Sequence, residues 1–152
     1  FQLCLEMGAE AIVQMDADFS HNPEKVIALL DNLIDYDMVL GSRYVSGGSL
    51  DDSWAAWRKS LSSFGNFYAR LILGMPILDV TGGFRAWRRT TLAGLPLDRV
   101  RSQGYAFQVE MTYITHLLGY KIQEIPIYFA ERERGDRKLS LGIQIEAAKR
   151  VW

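Results

Sequence analysis

Cysteine, histidine and long apolar runs are scarce in this sequence of 152 residues. The single cysteine, Cys4, excludes an intramolecular disulfide. The two histidines, His21 and His116, lie far apart in the chain and do not suggest a pair of metal ligands. No run of about 18 uncharged apolar residues occurs, so we expect no membrane-spanning helix in this sequence. The formal net charge is −1, and we therefore expect no nucleic-acid partner.

The composition that is present is typical of one globular domain. Hydrophobic residues make up 49% of the chain and charged residues 23%, which supplies enough apolar side chains for a core. The chain opens on Phe1, within a stretch whose apolar spacing predicts the end of a helix. We therefore expect the 152 residues to be a fragment that lacks an N-terminal part.

Short apolar runs alternate with segments of helical periodicity along the chain. We predict strands over residues 11–15, 38–40, 84–87 and 121–129, and helices that include residues 26–33, 57–71 and 107–118. Pro126 places the last of these strands at a sheet edge, because proline cannot donate to a central ladder. The alternation of strands and helices predicts an α/β layered domain.

Two aspartates, Asp16 and Asp18, end an apolar stretch in the segment VQMDADFS. In an extended segment the two side chains point to the same side, and their like charges repel unless a cation lies between them. Ligands of open α/β sheets bind beyond the carboxyl ends of the strands. The pair therefore predicts a Mg²⁺ or Mn²⁺ site that bridges to a diphosphate, and the alternative is a loop with two solvated aspartates.

A second polar segment, DVTGG at residues 79–83, predicts a turn that leads into the strand over 84–87. Its two glycines, Gly82 and Gly83, permit either close approach of other groups to the backbone or a positive φ. We expect Asp79 to orient this turn.

Five motifs occur in order along the chain, namely DADFSHNP at 16–23, GSRY at 41–44, WRK at 57–59, DVTGGFRA at 79–86 and GYAFQVEM at 104–111. In this succession the sequence resembles the polyprenol-phosphate mannosyltransferases. These are the dolichol-phosphate mannose synthase group of the family-2 glycosyltransferases, and the resemblance is strongest to bacterial members. It covers essentially the whole chain.

The resemblance implies a GT-A-type nucleotide-sugar transferase with a Rossmann-like α/β/α layering. Residues 1–152 would form a partial catalytic domain, without the first strand or strands of the nucleotide-binding part. The implied reaction transfers mannose from GDP-mannose to a polyprenyl or dolichyl monophosphate with inversion. The alternatives are a polyprenyl-phosphate glucosyltransferase that uses UDP-glucose and a non-catalytic module that binds a nucleotide sugar or a lipid phosphate.

On the donor side the resemblance assigns Asp16 and Asp18 to a metal on the donor diphosphate, and it counts Asp18 among the catalytic residues. Many relatives carry glutamine at position 20, where it completes the metal shell. This chain has Ser20, a shorter oxygen ligand, at that position. The expected cofactor is Mg²⁺ or Mn²⁺, with these three residues as protein ligands.

On the acceptor side the resemblance assigns Arg43, Arg58 and Ser62 to the lipid phosphate, with both arginines counted as catalytic. Arg58 and Ser62 are four residues apart on one predicted helix and can share a phosphate. An acceptor that is already anionic needs positive charge to hold it more than it needs a general base. Without the resemblance, Arg58 is equally well a solvated helix charge and Arg43 an ordinary strand-end charge.

A charged loop, ERERGDRKLS, occupies residues 131–140. Its mixed charges are typical of a solvated loop. In the family a basic loop at this place closes over the phosphates, which implies that Arg132, Arg134 and Lys138 bind substrate. This chain has Arg137 where serine is usual.

Residues 139–152 predict a C-terminal amphipathic helix with Leu141, Ile145, Ala148 and Trp152 along one side. Such a helix either packs on the domain or lies on a membrane. Because a polyprenyl-phosphate acceptor resides in a bilayer, we expect a peripheral protein on the cytoplasmic face of a membrane. The resemblance also allows a fused or associated membrane domain.

Overall fold

The structure is a computed structural model, and it describes residues 1–131 of the chain. In this part of the chain the elements are α1 (Gln2–Glu6), β1 (Ala11–Gln14), α2 (Lys25–Asn32), β2 (Met38–Ser42), β3 (Ser49–Leu50), α3 (Ala56–Leu73), β4 (Arg85–Arg88), α4 (Arg89–Gly94), α5 (Gly104–Leu117), β5 (Ile122–Pro126) and β6 (Tyr128–Phe129). Strands alternate with helices, which confirms the predicted α/β class.

The main sheet has the strand order β1–β4–β2–β5. Strand β4 runs antiparallel to both β1 and β2, while β5 runs parallel to β2. Strands β1, β2 and β5 therefore share one direction, and their carboxyl ends open at the same edge of the sheet, here called the carboxyl edge. Arg85, the first residue of β4, lies at this edge opposite both Gln14 and Leu40.

Helices cover both faces of the sheet because successive residues of its strands point to opposite sides. On β2, Val39 packs with Leu29 of α2 and with Leu33, which follows this helix, on one face. Met38 and Leu40 pack on the other face, with side chains from α4 and α5. A large apolar side chain that is fully buried contributes about 1.5–3 kcal/mol. These two clusters make the sheet the rigid platform on which the carboxyl edge is built.

The longest described helix, α3, begins after Ala55 and ends at Leu73. It ends there because Gly74 adopts the left-handed conformation, with φ of 63°, and its backbone N–H donates to the carbonyl of Arg70. The sequence predicts this helix correctly, and it also predicts α2 and α5 to within a few residues.

The C-terminal strand differs from the prediction. The structure places Pro126 in an edge strand of the described sheet, as expected, but the single strand predicted over 121–129 is wrong. Ile127 donates its N–H to the carbonyl of Ser42 and accepts from the N–H of Ser49, so the chain changes partner at this residue. The last two residues of the predicted strand, Tyr128 and Phe129, form β6 and pair with β3 in a separate two-stranded sheet.

Two further differences concern helices. The short helix α4, with the sequence RTTLAG, follows β4 directly and has too few turns to show a periodic pattern. The predicted helix over 139–152 lies outside the described residues.

Candidate active site at the carboxyl edge of the sheet

Asp16 and Asp18 follow β1 at the carboxyl edge, and both are half-buried. One carboxylate oxygen of Asp18, Oδ1, accepts hydrogen bonds from the backbone N–H of Ser20 at 3.1 Å and from its hydroxyl. Phe19 between them has a φ of 63°, a left-handed conformation that is uncommon for a residue with a side chain. The tight turn therefore fixes the Asp18 carboxylate just beyond the strand.

Ser20 is 1% exposed, and its hydroxyl donates to Asp18. In this position the serine supports the Asp18 carboxylate from the protein side. Its predicted place as a third metal ligand stays a prediction. Among residues 1–131, no group of three or more His, Cys, Asp or Glu side chains could hold a metal ion.

Gly83 lies directly against Asp16. A Cβ atom at this glycine would lie 3.2 Å from Oδ1 of Asp16, which is tighter than nine in ten real Cβ contacts. The backbone of the 79–83 turn therefore reaches the first aspartate because position 83 has no side chain. Of the two alternatives predicted for this glycine pair, the structure shows the close approach, and neither glycine has a positive φ.

His21 anchors the aspartate segment from below. It is 3% exposed and packs between the rings of Phe84 and Phe129, with centroids 5.0 and 5.1 Å away. Its Nδ1 accepts a hydrogen bond from the backbone N–H of Asp16 at 3.3 Å. Burial lowers the pKa of His21, although the carboxylates of Asp16 and Asp18 oppose this shift. A neutral imidazole therefore holds the backbone of the first aspartate.

Arg43, which follows β2, is paired with Asp79 across the carboxyl edge. Its Nε donates to Oδ2 of Asp79 at 2.7 Å and its Nη2 to Oδ1 at 2.6 Å, and the two side chains are 8% and 0% exposed. Burial alone would raise the pKa of Asp79, but the charge and hydrogen bonds of Arg43 hold it below its ordinary value. The alternative of an ordinary solvated charge at the end of a strand is therefore wrong for Arg43.

Asp79 also accepts the backbone N–H of Gly82 at 3.1 Å. The prediction that Asp79 orients the turn is thereby confirmed. Arg43 Nη2 donates in addition to the Thr81 hydroxyl at 2.9 Å, and within residues 1–131 its other terminal nitrogen, Nη1, makes no hydrogen bond. The guanidinium is thus held on one side by Asp79 and Thr81.

Arg58 and Ser62 occupy the inner side of α3. The guanidinium of Arg58 lies over the ring of Trp54, 3.5 Å from its centroid, and Nη1 donates to the Glu131 carboxylate at 3.0 and 3.1 Å. The hydroxyl of Ser62 accepts from the Tyr44 hydroxyl at 2.7 Å. The side chain of Arg58 is only 16% exposed, so the alternative of a solvated helix charge is wrong here as well.

Two charged residues without a predicted role hold the turn itself. Arg85 is fully buried, and its guanidinium donates to the carbonyls of Gly82, Val80 and Gln108 and to the hydroxyl of Thr112 at 2.6–2.8 Å. Burial lowers the pKa of Arg85, and nearby Asp79 opposes the shift. Arg85 thereby ties the turn to helix α5.

Glu124 on β5 holds the same turn from the opposite side. Its two carboxylate oxygens accept from the successive backbone N–H groups of Leu78 at 2.7 Å and Asp79 at 2.9 Å. Two bonds to one carboxylate fix the direction in which the chain enters the turn. A lone glutamate in a strand carries no pattern that reveals this role, so the sequence does not predict it.

The structure thus brings six of the predicted site residues to one edge of the sheet. Asp16, Asp18 and Ser20 lie beyond β1, Arg43 lies beyond β2, and Arg58 and Ser62 face them from α3. The turn at 79–83 connects the two sides, since Gly83 contacts Asp16 while Asp79 and Thr81 bond to Arg43. The remaining predicted residues, Arg132, Arg134 and Lys138, lie outside the described residues.

A groove of about 610 Å³ opens between α3 and the segment after β2. It is lined by Tyr44, Leu50, Lys59, Ser60, Ser63, Phe64 and Phe67. The groove therefore begins beside the Tyr44–Ser62 hydrogen bond and continues along apolar side chains of α3. Within the described part of the chain, the helices are too short or too polar to cross a lipid bilayer.

The fold has a counterpart among solved structures. A crystal structure of glucosyl-3-phosphoglycerate synthase from Mycobacterium tuberculosis, in complex with Mn²⁺, uridine diphosphate and glucosyl-3-phosphoglycerate, matches with a TM-score of 0.57. The two sequences are 19% identical, and the match covers 93% of this chain and 47% of that one. The architecture is that of the GT-A-type glycosyltransferases.

The chain belongs to glycosyl transferase family 2, whose family model matches residues 5–95. It is 46% identical to an undecaprenyl-phosphate mannosyltransferase of Micrococcus luteus, over 99% of this chain and 62% of that protein. It is 43% identical to a polyprenol monophosphomannose synthase of Mycolicibacterium smegmatis, over 92% of this chain and 53% of that protein. The chain thus spans between about half and two thirds of the length of these relatives. The predicted resemblance is confirmed.

Proposed function

We propose that this chain catalyses transfer of mannose from GDP-mannose to a polyprenyl monophosphate, with inversion at the anomeric carbon. The observation that carries the proposal is the arrangement at the carboxyl edge, where an aspartate pair and two largely buried, ion-paired arginines, Arg43 and Arg58, flank the turn at 79–83. The names of the two relatives support mannose as the sugar and a polyprenyl phosphate as the acceptor. GDP-mannose as the donor is part of this proposal.

On the donor side, Asp16 and Asp18 would hold Mg²⁺ or Mn²⁺. The fit rests on the chemistry of the donor set, because two carboxylates are the hard oxygen ligands that these ions prefer. It also rests on Gly83, which leaves Asp16 Oδ1 the space that a Cβ atom would take. When bound, such an ion offsets the negative charge that develops on the leaving diphosphate.

On the acceptor side, Arg43, Arg58 and Ser62 would bind the lipid phosphate. A phosphate oxygen attacks the anomeric carbon, the bond from that carbon to the nucleoside diphosphate breaks, and the diphosphate leaves with the electron pair. The attacking oxygen is already anionic, so the two arginines act by holding it in line rather than by removing a proton. Arg58 donates to Glu131 through Nη1, so a phosphate that bound this nitrogen would take the place of Glu131.

The outer side of α3 suits a protein that works at a membrane surface. Trp57, Phe64, Phe67 and Leu71 on this helix are between 56% and 69% exposed. The same helix carries Arg58 and Ser62 on its inner side, so a lipid whose phosphate reached them would have its chain next to these apolar side chains. We therefore propose peripheral attachment to a membrane through α3, and we place it on the cytoplasmic face on the family resemblance alone.

The test is a transfer assay on the full-length protein with polyprenyl phosphate and either GDP-mannose or UDP-glucose. We expect mannosyl transfer that stops in the presence of a chelator and in the Asp18→Asn variant, because the charge of the aspartate pair is needed for the metal. Asp35→Asn, at an exposed aspartate after α2, is the matched control and should keep full activity.

Other outcomes decide between the alternatives. Transfer from UDP-glucose with no transfer from GDP-mannose would establish the glucosyltransferase. Binding of a nucleotide sugar without transfer of either sugar to polyprenyl phosphate would establish a binding module. Undiminished transfer by the Asp18→Asn variant, or by the wild-type protein in the presence of a chelator, would remove the metal from the proposal.

A further inference from the structure

Asn66 is a buried amide on a helix whose outer side is exposed. It lies on α3, one turn after Ser62, and is 2% exposed. Its Nδ2 donates to the Thr81 hydroxyl at 3.1 Å and to the carbonyl of Ser62 at 3.2 Å, while its Oδ1 accepts from the backbone N–H of Thr81 at 3.2 Å. No role for this residue follows from the sequence.

The two bonds between Asn66 and Thr81 are reciprocal. One amide group both donates to and accepts from the same residue, so the pair resists sliding and rotation more than a single bond does. Both partners belong to different parts of the fold, since Asn66 lies on α3 and Thr81 in the turn before β4. The helix and the turn are therefore joined at one defined point.

This joint lies between the two halves of the acceptor site. The Thr81 hydroxyl that accepts from Asn66 also accepts from Nη2 of Arg43 at 2.9 Å. Arg58 and Ser62 lie on the same helix as Asn66, eight and four residues before it, which places them on one side of that helix. A displacement of α3 relative to the turn would change the distance between Arg58 and Arg43.

We propose that Asn66 is a positioning residue for the acceptor phosphate. It holds α3, with Arg58 and Ser62, at a fixed separation from the turn and from Arg43. Asn66 itself touches neither substrate and acts through Thr81. This inference rests on the function proposed above, because that function makes the separation between the two arginines matter.

The first test replaces the amide without changing its size. Asn66→Asp keeps an acceptor for the Thr81 N–H but replaces Nδ2 with a charged oxygen, which repels the Ser62 carbonyl and forces the Thr81 hydroxyl to turn from acceptor to donor. We expect KM for polyprenyl phosphate to rise roughly tenfold, while KM for GDP-mannose stays within about twofold. Asn32→Asp is the matched control, because Asn32 on α2 makes the same bond to the carbonyl four residues earlier and makes no bond to the turn.

A second pair of variants avoids the added charge. Thr81→Val removes the shared hydroxyl and should reproduce the acceptor defect, whereas Thr81→Ser restores the hydroxyl and should recover most of the affinity. Combined with Asn66→Asp, Thr81→Val should add little further loss, because both changes break the same joint. Lower thermal stability with unchanged KM values for both substrates would show a purely structural role and overturn the proposal.

Hydrogen exchange gives a readout that needs no substrate. Backbone amides of residues 79–83 should exchange roughly tenfold faster in Asn66→Asp than in Asn32→Asp. Unchanged protection of this turn would overturn the proposal whatever the activity of the enzyme. Failure of the wild-type protein to use polyprenyl phosphate, by contrast, would overturn the proposed function, and faster exchange would then leave the joint itself established.

Discussion

Arg58 is already paired with the carboxylate of Glu131, so a phosphate that binds Arg58 competes with this carboxylate. Glu131 accepts two bonds from Arg58 Nη1 in the described structure, and its side chain is 36% exposed. Arg43 is in a similar position, because Asp79 occupies its Nε and Nη2. The Arg43–Asp79 pair is the more buried of the two, with side chains 8% and 0% exposed, whereas the Arg58–Glu131 pair is partly exposed and can exchange partners more readily.

Removing the competing carboxylate should therefore improve acceptor binding. In Glu131→Gln we expect KM for polyprenyl phosphate to fall by up to about fivefold, since a partly exposed ion pair is worth about 0–1 kcal/mol. Glu24→Gln, at an exposed glutamate before α2, should leave KM unchanged. A higher KM in Glu131→Gln would mean that the carboxylate supports Arg58 rather than competing for it.

The buried imidazole of His21 gives stability a dependence on pH. Burial lowers the pKa of His21 from its ordinary value of 6.5, so below pH 6.5 the unfolded chain takes up a proton that the folded chain does not. Stability should then be highest above pH 6.5 and decline as the pH falls toward the lower pKa of the folded state. Denaturant midpoints between pH 5 and 8 measure this decline.

Substitution of each histidine separates the contribution of His21. His21→Gln should flatten the decline below pH 6.5, while His116→Gln should retain it. The chain has no other histidine. An equal slope in both variants would assign the pH dependence to other groups.

Much of the candidate site can be predicted from the sequence because it consists of charged residues at the ends of apolar strands. Asp16 and Asp18 end an apolar strand, and Arg43 follows another, so their positions at the carboxyl edge follow from the strand pattern. Asn66 and Glu124 are not legible, because a polar side chain that bonds to one distant backbone segment leaves no periodic or compositional signal. Their roles depend on which segments the fold brings together.

At the scale of elements, α3 is both a support for the site and a candidate membrane surface. The glycine within α3, Gly65, and the glycine that follows it, Gly74, differ in backbone conformation. Gly65 lies within the helix with open space around it, whereas Gly74 ends the helix with a φ of 63°. Side chains adopt helical backbone readily but adopt a positive φ only with strain.

The same substitution should therefore change stability in opposite directions at these two positions. Gly65→Ala should raise the free energy of unfolding by about 0.5–1 kcal/mol, because alanine favours the helix. Gly74→Ala should lower it by about 1 kcal/mol. Chemical denaturation measures both. A loss of stability in Gly65→Ala would mean that another part of the protein covers this side of α3.

Predicting the elements from the sequence succeeded where a helix has a long periodic face and failed where pairing is decided by distant residues. Helix α3 spans 18 residues with apolar positions at helical spacing, so its pattern is clear. The break at Ile127 depends on its hydrogen bonds with Ser42 and Ser49, which lie 85 and 78 residues earlier in the chain. No local pattern in residues 121–129 carries that information.

At the scale of the whole molecule, attachment to a lipid bilayer should depend on the outer side of α3. The double variant Trp57→Ser with Phe64→Ser should lose most of its co-sedimentation with phospholipid vesicles, while binding of GDP-mannose is unchanged. Ile27→Ser with Ile34→Ser, two exposed apolar residues in and after α2, is the matched control. Equal loss in both double variants would show only nonspecific adhesion of apolar side chains.

The place of β4 between β1 and β2 has a consequence for the order in which the sheet forms. Strands β1 and β2 come early in the chain, but β4 lies between them in the sheet and is translated more than forty residues after β2. Until residues 85–88 pair with both strands, β1 and β2 do not belong to one sheet, and the positions of Asp16 and Arg43 relative to each other are not fixed. A ligand that needs both Asp16 and Arg43 should therefore stabilise the chain only after β4 has joined the sheet. Such a ligand would add stability to a sheet that has already formed without it.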